Sequence, residues 1–116
     1  MGSVGKRSRD KGKRGEREWA KFLSAHGFPA YRGMQFSGRG KGGEEAPDVV
    51  CDTLPYHHEV KRVERLNLQA AMEQSIEDAE EGKTPIVAHK KNNKQWLVTM
   101  LAEDWIELVG NDDEDP

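Results

Sequence analysis

A stripe of apolar residues early in the chain predicts a long amphipathic helix. We expect this helix to follow Asp10, whose side chain can cap it, and to run to about His26. Gly27 is suited to end the helix, because glycine adopts the backbone conformation that a C-cap requires. The apolar members of the stripe are Trp19, Ala20, Phe22 and Leu23.

The clearest periodic pattern follows Asn67, which we expect to be an N-cap, and ends at Glu81-Gly82. Its apolar or small residues recur at i, i+3, i+4, i+7, i+8 and i+11, namely Leu68, Ala71, Met72, Ser75, Ile76 and Ala79. This spacing predicts an amphipathic helix. The remaining surface is acidic and carries Glu73, Glu77, Asp78, Glu80 and Glu81.

Short extended segments separate and follow these helices. Strands are predicted over 30–32, 49–51, 56–61, 85–89 and 95–100, the last two joined by a turn of Lys and Asn. A final helix over 102–109 offers Trp105, Ile106 and Val109 for packing or for contact with a second subunit. The order helix, strand, strand, strand, helix, strand, strand, helix predicts an α/β domain with a mixed central β-sheet.

Composition limits the size of this domain. The chain has 116 residues, of which 34% are hydrophobic and 34% charged, so we expect one domain with a small core. No apolar run reaches transmembrane length and no secretory segment is evident, which predicts a cytoplasmic protein without a membrane partner. Cys51 is the one cysteine and is interpreted as a core residue, since it can form neither an internal disulfide nor a cysteine zinc cluster.

Charge is segregated along the chain. Residues 1–43 contain eleven Lys or Arg against three acids, and residues 44–116 contain seven against eighteen. This polarity predicts one surface that binds a polyanion. The basic part includes a glycine-rich stretch over 33–43, whose backbone can approach a sugar-phosphate chain. The stretch lacks the GxxxxGK[ST] pattern, so no nucleotide cofactor is expected.

The candidate chemistry lies between residues 47 and 61, in the sequence PDVVCDTLPYHHEVK. In an extended segment, side chains alternate between two faces, so Glu59 and Lys61 point one way and Val60 the other. If the strands around Asp48 and Glu59 are neighbours, their carboxylates meet and require a cation such as Mg²⁺ or Mn²⁺. A lysine beside that ion can orient or deprotonate water and offset charge on a phosphate.

Two further residues are candidates for this site. At about 100° per residue, Glu16 lies within roughly 45° of the centre of the apolar stripe, so its carboxylate faces the fold. A carboxylate there needs a partner or a metal, although a first-turn glutamate that favours the helix N-terminus is the alternative. His57 shares the strand face of Glu59 and is expected to line the edge of the site, without zinc-like ligand spacing.

Pro47-Asp48 followed by Glu59-Val60-Lys61 resembles the signature of the PD-(D/E)xK nucleases. The upstream segment KGKRGERE at 11–18, HGF at 26–28, Arg32 and FSG at 36–38 are similar in order to archaeal-type Holliday-junction resolvases and to small phage nucleases. The two histidines before Glu59 depart from that pattern. The resemblance covers about 11–100 and implies a restriction-endonuclease-like core, with a mixed central sheet flanked by helices.

The resemblance also implies residue roles. It adds Glu16 and the carbonyl of Val60 to the metal ligands Asp48 and Glu59, and it makes Lys61 catalytic. Arg17 is implied near the scissile phosphate, and Gln69 is implied as an accessory residue. The remaining DNA-binding candidates are Lys13, Arg14, Arg32, Ser37, Arg39 and Lys41. The acidic surface of the second predicted helix should point away from DNA.

These inferences predict a Mg²⁺-dependent, structure-selective DNA endonuclease that resolves four-way junctions, and the resemblance implies a homodimer. A nicking or flap nuclease with the same site is the first alternative, and a non-catalytic DNA-binding module is the second. We expect a flexible basic segment at 1–10, a single nuclease domain at 11–110 and a disordered acidic tail at 111–116. The small size suits a phage enzyme.

Overall fold

The computed structural model describes residues 3–33 and 48–111. The elements in chain order are α1 (Ser3–Ala25), β1 (Tyr31–Arg32), β2 (Val49–Val50), β3 (Tyr56–Lys61), α2 (Leu68–Asp78), β4 (Thr84–His89), β5 (Leu97–Met100) and α3 (Ala102–Asn111). This order confirms the predicted α/β fold and is consistent with a restriction-endonuclease-like core. None of the helices in these residues is long and apolar enough to cross a membrane.

The five strands form one mixed sheet in the order β1-β2-β3-β4-β5. β3 and β4 are parallel, and α2 connects them, as a parallel pair requires a crossover. The other neighbouring pairs are antiparallel, including β4 and β5, which are joined by the predicted turn. Asn93 in that turn has a φ of 61°, a left-handed conformation that asparagine tolerates better than most residues.

Two helices cover opposite faces of the sheet. Trp19, Ala20 and Leu23 of α1 pack against one face, where Val60 and Ala88 belong to the same cluster of buried residues. Ala71 and Met72 of α2 pack on the other face against Val87. Cys51 is buried in the α1 cluster, as the sequence predicted. The small core is therefore divided between two layers, and β3 separates them.

The start of α1 differs from the sequence prediction. The helix begins at Ser3, seven residues before the predicted cap at Asp10. Lysine and arginine, which are frequent here, are good helix formers and offset the glycines. At the other end Gly27, with a φ of 95°, forms the predicted C-cap, and the amide of Phe28 donates to the Leu23 carbonyl at 2.9 Å.

α1 lies close to the end of β3 at Gly15, which is buried. A Cβ at this position would lie 2.6 Å from the Cβ of Arg62, directly after the end of β3. The glycine therefore allows the helix to pack beside the strand that carries the candidate site. By contrast, a Cβ at Gly12 would meet no atom within 4 Å.

α2 begins as predicted, with Asn67 Oδ1 accepting a hydrogen bond from the Ala70 amide at 3.0 Å. The helix ends at Asp78, whereas the periodicity predicted an end at Glu81-Gly82. Gly82 instead adopts a φ of 90° in the turn that leads into β4. Ile76, an expected core residue, is 43% exposed, so the buried stripe of α2 is narrower than its periodicity suggests.

The β5 edge of the sheet and α3 expose most of their large apolar side chains. Leu97 and Val98 of β5 are 58% and 52% exposed. Trp105 and Ile106 of α3 are 53% and 60% exposed, so the first of the two predicted roles, packing within the chain, does not account for them. Seven of the eleven exposed large apolar side chains in the described residues lie between Leu97 and Val109, on the surface formed by β5 and α3.

Candidate active site

The register of β2 and β3 brings Asp48 and Glu59 together. Val49 pairs with His58 in an antiparallel ladder, which places the next two residues, Asp48 and Glu59, directly opposite each other. The Asp48 amide donates to the His58 carbonyl at 3.2 Å. The Val60 amide donates to Asp48 Oδ2 at 2.8 Å, so the backbone of β3 holds the carboxylate in place. β2 and β3 are therefore neighbours, which is the condition under which the sequence predicts that the two carboxylates meet.

Lys61 and Glu59 share one face of β3, as the strand alternation predicted. Lys61 Nζ lies 3.6 Å from Glu59 Oε2. The Glu59 side chain is only 8% exposed, whereas that of Lys61 is 38% exposed. Val60 points to the opposite face and packs with Trp19 of α1. A substrate phosphate can therefore reach the ammonium group of Lys61 from solvent, with the buried carboxylate behind it.

The pKa of Asp48 is changed by its burial and by the charged groups around it. Burial, followed by the negative charge of Glu59, raises the pKa of Asp48 to about 7. The Glu16 carboxylate raises this pKa further, while the Val60 hydrogen bond and the charge of Lys61 lower it. Asp48 therefore lies in the field of two other carboxylates.

The α1 carboxylates are held by arginines. Glu16 Oε1 accepts a hydrogen bond from Arg32 Nε at 2.9 Å, and the Glu16 side chain is 18% exposed. Glu16 thus faces the fold, as predicted, with a cationic partner from β1. Two residues further along α1, Glu18 Oε1 accepts from Arg62 Nε at 2.8 Å, and Arg62 also donates to Asn92. Glu18 anchors the chain segment that follows Lys61.

The two histidines before Glu59 are both buried but have different surroundings. His58 lies on the α1 face, where its Nδ1 accepts a hydrogen bond from Trp19 Nε1 at 3.0 Å. Burial, with smaller contributions from His57 and Lys83, lowers the pKa of His58 to about 4. His57 lies on the face of Glu59, and its Nε2 is 3.7 Å from Glu59 Oε1. His57 is therefore inside the fold beside the site.

Asp78 also lies beside this site, although the sequence predicted that it belongs to the acidic, outward face of α2. In the structure it is half-buried, and a carboxylate oxygen lies within 4.8 Å of ligand atoms of both His57 and Glu59. The sequence contained a usable signal, because Asp78 is three residues after Ser75 and seven after Ala71. Both of those residues are buried. The predicted assignment of Asp78 was wrong.

The other predicted site residues are more distant or lie elsewhere. Lys13, Arg14 and Arg17 are exposed on α1 and make no described contact with the site. Gln69 is exposed and donates to Glu73 of the same helix at 3.2 Å. Ser37, Arg39 and Lys41 lie outside the described residues, as do Pro47 and the tail over 112–116. Their roles stay predictions.

A basic cleft opens beyond the carboxyl ends of β3 and β4. It has a volume of about 850 Å³ and is formed by the segment 64–68 and by residues around the β4–β5 turn. Leu66, Leu68 and Leu97 contribute apolar surface. Its cationic side chains are Arg65, Lys90, Lys91 and Lys94. The cleft therefore combines positive charge with apolar surface, as an interface for a nucleic-acid strand does.

The chain matches a known protein family. A family model described as "Phage putative PDDEXK endonuclease" matches residues 7–115, almost the entire chain. The chain belongs to this family. Searches of the curated proteins and of the solved structures returned no match.

Family membership confirms the resemblance to the PD-(D/E)xK nucleases and makes DNA the implied substrate class. The paired Asp48 and Glu59 carboxylates and Lys61 occupy the positions of that signature, on two adjacent strands. The match does not separate a junction resolvase from other nucleases of the superfamily.

Proposed function

We propose that this protein is a Mg²⁺-dependent, structure-selective DNA endonuclease that resolves four-way junctions. The observation that carries the proposal is the placement of Asp48 and Glu59 opposite each other on β2 and β3, with Lys61 Nζ 3.6 Å from Glu59 Oε2. Two carboxylates with an adjacent exposed ammonium group suit phosphodiester hydrolysis. A module that only binds DNA phosphates needs cations and has no use for paired buried carboxylates.

The donor set fits a hard divalent cation. Asp48, Glu59 and the Val60 carbonyl would hold it, with Glu16 as a further ligand if it exchanges Arg32 for the ion. All are oxygen donors, which Mg²⁺ and Mn²⁺ prefer. The fit is supported by the mutual repulsion that raises the pKa of Asp48, because a cation between the two carboxylates would relieve it. Such an ion lowers the pKa of bound water and neutralises charge on the phosphate.

The side chains of this chain have defined tasks in the reaction. Lys61 can donate hydrogen bonds to the attacking water and to a phosphate oxygen, and its partly exposed ammonium group can meet both. The Val60 amide keeps Asp48 oriented through the 2.8 Å hydrogen bond. The buried Glu59 carboxylate positions Lys61 through their ion pair at 3.6 Å. With the metal bound, in-line attack requires that the DNA presents its phosphate above Lys61.

The basic cleft supplies a path for the DNA. It opens next to the segment that follows Lys61, so a strand whose phosphate is at Lys61 can continue along Arg65 and the lysines of the β4–β5 turn. Arg17, exposed on α1, supplies a contact on the other side. The main contact of Arg32 is its ion pair with Glu16. The acidic exposed face of α2 points away from this path.

The homodimer that junction resolution requires is assigned to the face formed by β5 and α3. Two symmetric cuts in a four-way junction call for two active sites related by a two-fold axis. β5 is an edge strand, and its side chains Leu97 and Val98 continue into Trp105 and Ile106 of α3. An exposed apolar surface of this kind marks an interaction site, and a second copy offers the same surface in return. Ile106→Glu should then give a monomer in sedimentation analysis.

The test is cleavage of a labelled four-way junction beside linear duplex, nicked duplex and flap DNA, in Mg²⁺ and in EDTA. Lys61→Ala is the inactive variant, and Lys21→Ala, which removes an exposed lysine of α1, is its matched control. We expect paired cuts in the junction, abolished by EDTA and by Lys61→Ala but not by Lys21→Ala. Cleavage of flap or nicked duplex alone would replace junction resolution by the nicking or flap activity. Metal-independent DNA binding without cleavage would favour the binding module.

A further inference from the structure

A second group of metal-ligating side chains lies on the other side of Glu59. His57, Glu59 and Asp78 each offer one ligand atom, and these three atoms all lie within 4.8 Å of one another. Within residues 3–33 and 48–111 no other set of three His, Cys, Asp or Glu meets that distance. His57 and Glu59 are buried and Asp78 is half-buried, so the group is built into the contact between β3 and α2.

His57 provides an independent indication of a ligand. Its side chain is 4% exposed, and its Nε2 atom has no hydrogen-bond partner among the described residues. Burying a polar atom without a partner costs about 1–3 kcal/mol. Nε2 lies 3.7 Å from Glu59 Oε1, which is beyond hydrogen-bond distance. His58 Nε2 is also unpartnered, but His58 does not belong to any such group of ligands.

The position of Asp78 is unfavourable for an anion unless a cation is near. Asp78 is the last residue of α2, where the helix dipole is negative, and the last turn contains no basic residue. Among the described residues, no lysine or arginine forms a salt bridge with it. Gln74 Nε2 donates to Asp78 Oδ2 at 2.8 Å, which orients the carboxylate as an outer-shell partner of a metal ligand does.

Glu59 connects this group with the proposed catalytic site. Its Oε1 faces His57 at 3.7 Å, and its Oε2 faces Lys61 at 3.6 Å. Two ligands of one tetrahedral ion at about 2.0–2.1 Å are separated by roughly 3.4 Å, so His57 and Glu59 need to approach by only a few tenths of an ångström. The two carboxylates balance the charge of a divalent cation.

We propose that His57, Glu59 and Asp78 form a second divalent-metal site that prefers Zn²⁺ to Mg²⁺. An imidazole nitrogen with two carboxylate oxygens suits Zn²⁺, which accepts four ligands and a buried setting. Mg²⁺ prefers oxygen ligands and loses its water reluctantly. Glu59 is the ligand that this site shares with the catalytic metal. The site itself does not require the nuclease reaction, and only the sharing of Glu59 depends on the proposed function.

Metal binding by the full chain tests this proposal without reference to activity. The protein is freed of metal with a chelator and titrated with Zn²⁺ by calorimetry, and with Co²⁺ by its visible absorption, which reports four-coordinate nitrogen and oxygen ligation. Asp78→Asn keeps the size of the side chain and removes a ligand charge. Loss of an outer-shell partner alone costs about 10–100-fold in metal affinity, so this variant should bind Zn²⁺ at least about tenfold more weakly.

Glu77→Gln is the matched control, because Glu77 is an exposed acid adjacent to Asp78 on α2. It should bind Zn²⁺ like the unaltered protein. His57→Asn, with its fold checked by circular dichroism, should lose the Co²⁺ absorption. Equal Zn²⁺ affinities for Asp78→Asn and Glu77→Gln would overturn the proposal, and so would stronger binding of Mg²⁺ than of Zn²⁺ by the unaltered chain.

Two further variants separate this proposal from the catalytic one. Asp48→Asn should weaken Mg²⁺ binding and leave the Co²⁺ spectrum unchanged, whereas Glu59→Gln should weaken both. A Co²⁺ site lost in Asp78→Asn, in a protein that cleaves no DNA, would support the second site and reject the proposed function. Mg²⁺-dependent cleavage by a protein with no Co²⁺ or Zn²⁺ site would support the proposed function and reject the second metal site.

Discussion

The two faces of β3 carry alternate residues of one six-residue strand, yet the side chains on the two faces have different roles. On the α1 face, His58 and Val60 pack against Trp19. His58 Nδ1 accepts a hydrogen bond from the indole, while His58 Nε2 is buried without a partner among the described residues. On the α2 face, His57, Glu59 and Lys61 place ionisable groups 3.6–3.7 Å apart. The α1 face of β3 therefore carries one imidazole among apolar side chains, whereas the α2 face concentrates ionisable groups.

A small domain can contain a site whose burial disfavours folding, if the rest of the core compensates for the lost free energy. Burying carboxylates and an unpartnered imidazole disfavours folding, because each group loses water without gaining a full set of partners. The α1 face offsets part of this cost on the same strand, because Val60 is apolar and His58 Nδ1 accepts the Trp19 hydrogen bond. Substitutions on the α2 face should therefore change function more than stability, and substitutions on the α1 face should do the opposite.

The largest expected effect is on the α2 face, from Asp48→Asn. Asparagine still accepts the Val60 amide hydrogen bond but removes the charge opposite Glu59. Losing several kcal/mol of metal-assisted stabilisation should lower the cleavage rate on the order of 10³-fold. The melting temperature of the metal-free protein should not fall, because carboxylate repulsion is relieved. Cleavage kinetics and thermal unfolding in EDTA measure both quantities, and a large drop in melting temperature would contradict the division between the faces.

Trp19→Phe probes the α1 face. Phenylalanine keeps an aromatic ring but cannot donate to His58 Nδ1, which is then left buried without its partner. We expect a loss of roughly 2–4 kcal/mol in the free energy of unfolding, from the missing hydrogen bond and the smaller ring. Divalent-metal affinity at the α2 face should stay within about twofold, since Trp19 contacts the side chain of Val60 and none of the carboxylate or imidazole ligands. Urea unfolding and metal titration are the two measurements, and weaker metal binding without loss of stability would reverse the expected pattern.

A pair of glycine substitutions on α1 tests how closely the helix must approach the strand. Gly15→Ala places a Cβ 2.6 Å from the Cβ of Arg62, so helix or strand end must move, at a net cost of roughly 1–2 kcal/mol. Gly12→Ala meets no atom and should stabilise the helix by up to about 1 kcal/mol. Chemical denaturation of both variants gives the comparison. Equal effects of the two substitutions would show that the contact at Arg62 is not tight.

The smallest stability effects are expected from the two α1 carboxylates, which differ in function. Glu16→Gln and Glu18→Gln each weaken one ion pair with an arginine, at 2.9 and 2.8 Å, and each should cost about 0.2–1 kcal/mol. Glu16 acts on the charge of Asp48, so Glu16→Gln should lower cleavage, while Glu18→Gln should leave it largely intact. Parallel cleavage assays decide this, and equal activities would remove Glu16 from the proposed metal ligands.

Much of the fold could be predicted because it depends on local periodicity. The alternation of side chains along 56–61 indicated which residues share a face, and that prediction was confirmed for the pairs Glu59–Lys61 and His58–Val60. The cap at Asn67 and the turn at Gly27 were also predictable, because each depends on the conformation of a few consecutive residues. The start of α1 was not, since helix propensity at basic residues outweighed the expected cap at Asp10.

The chain by itself determined the order of the elements, the faces of β3 and the family signature of Asp48, Glu59 and Lys61. Only the tertiary structure decided which distant residues meet. The pairing of Val49 with His58 places the two carboxylates opposite each other, α2 ends at Asp78 beside His57, and Gly15 makes room for Arg62. Such contacts depend on strand register, on where a helix stops and on how closely layers pack. These are properties of the whole fold that no local pattern specifies.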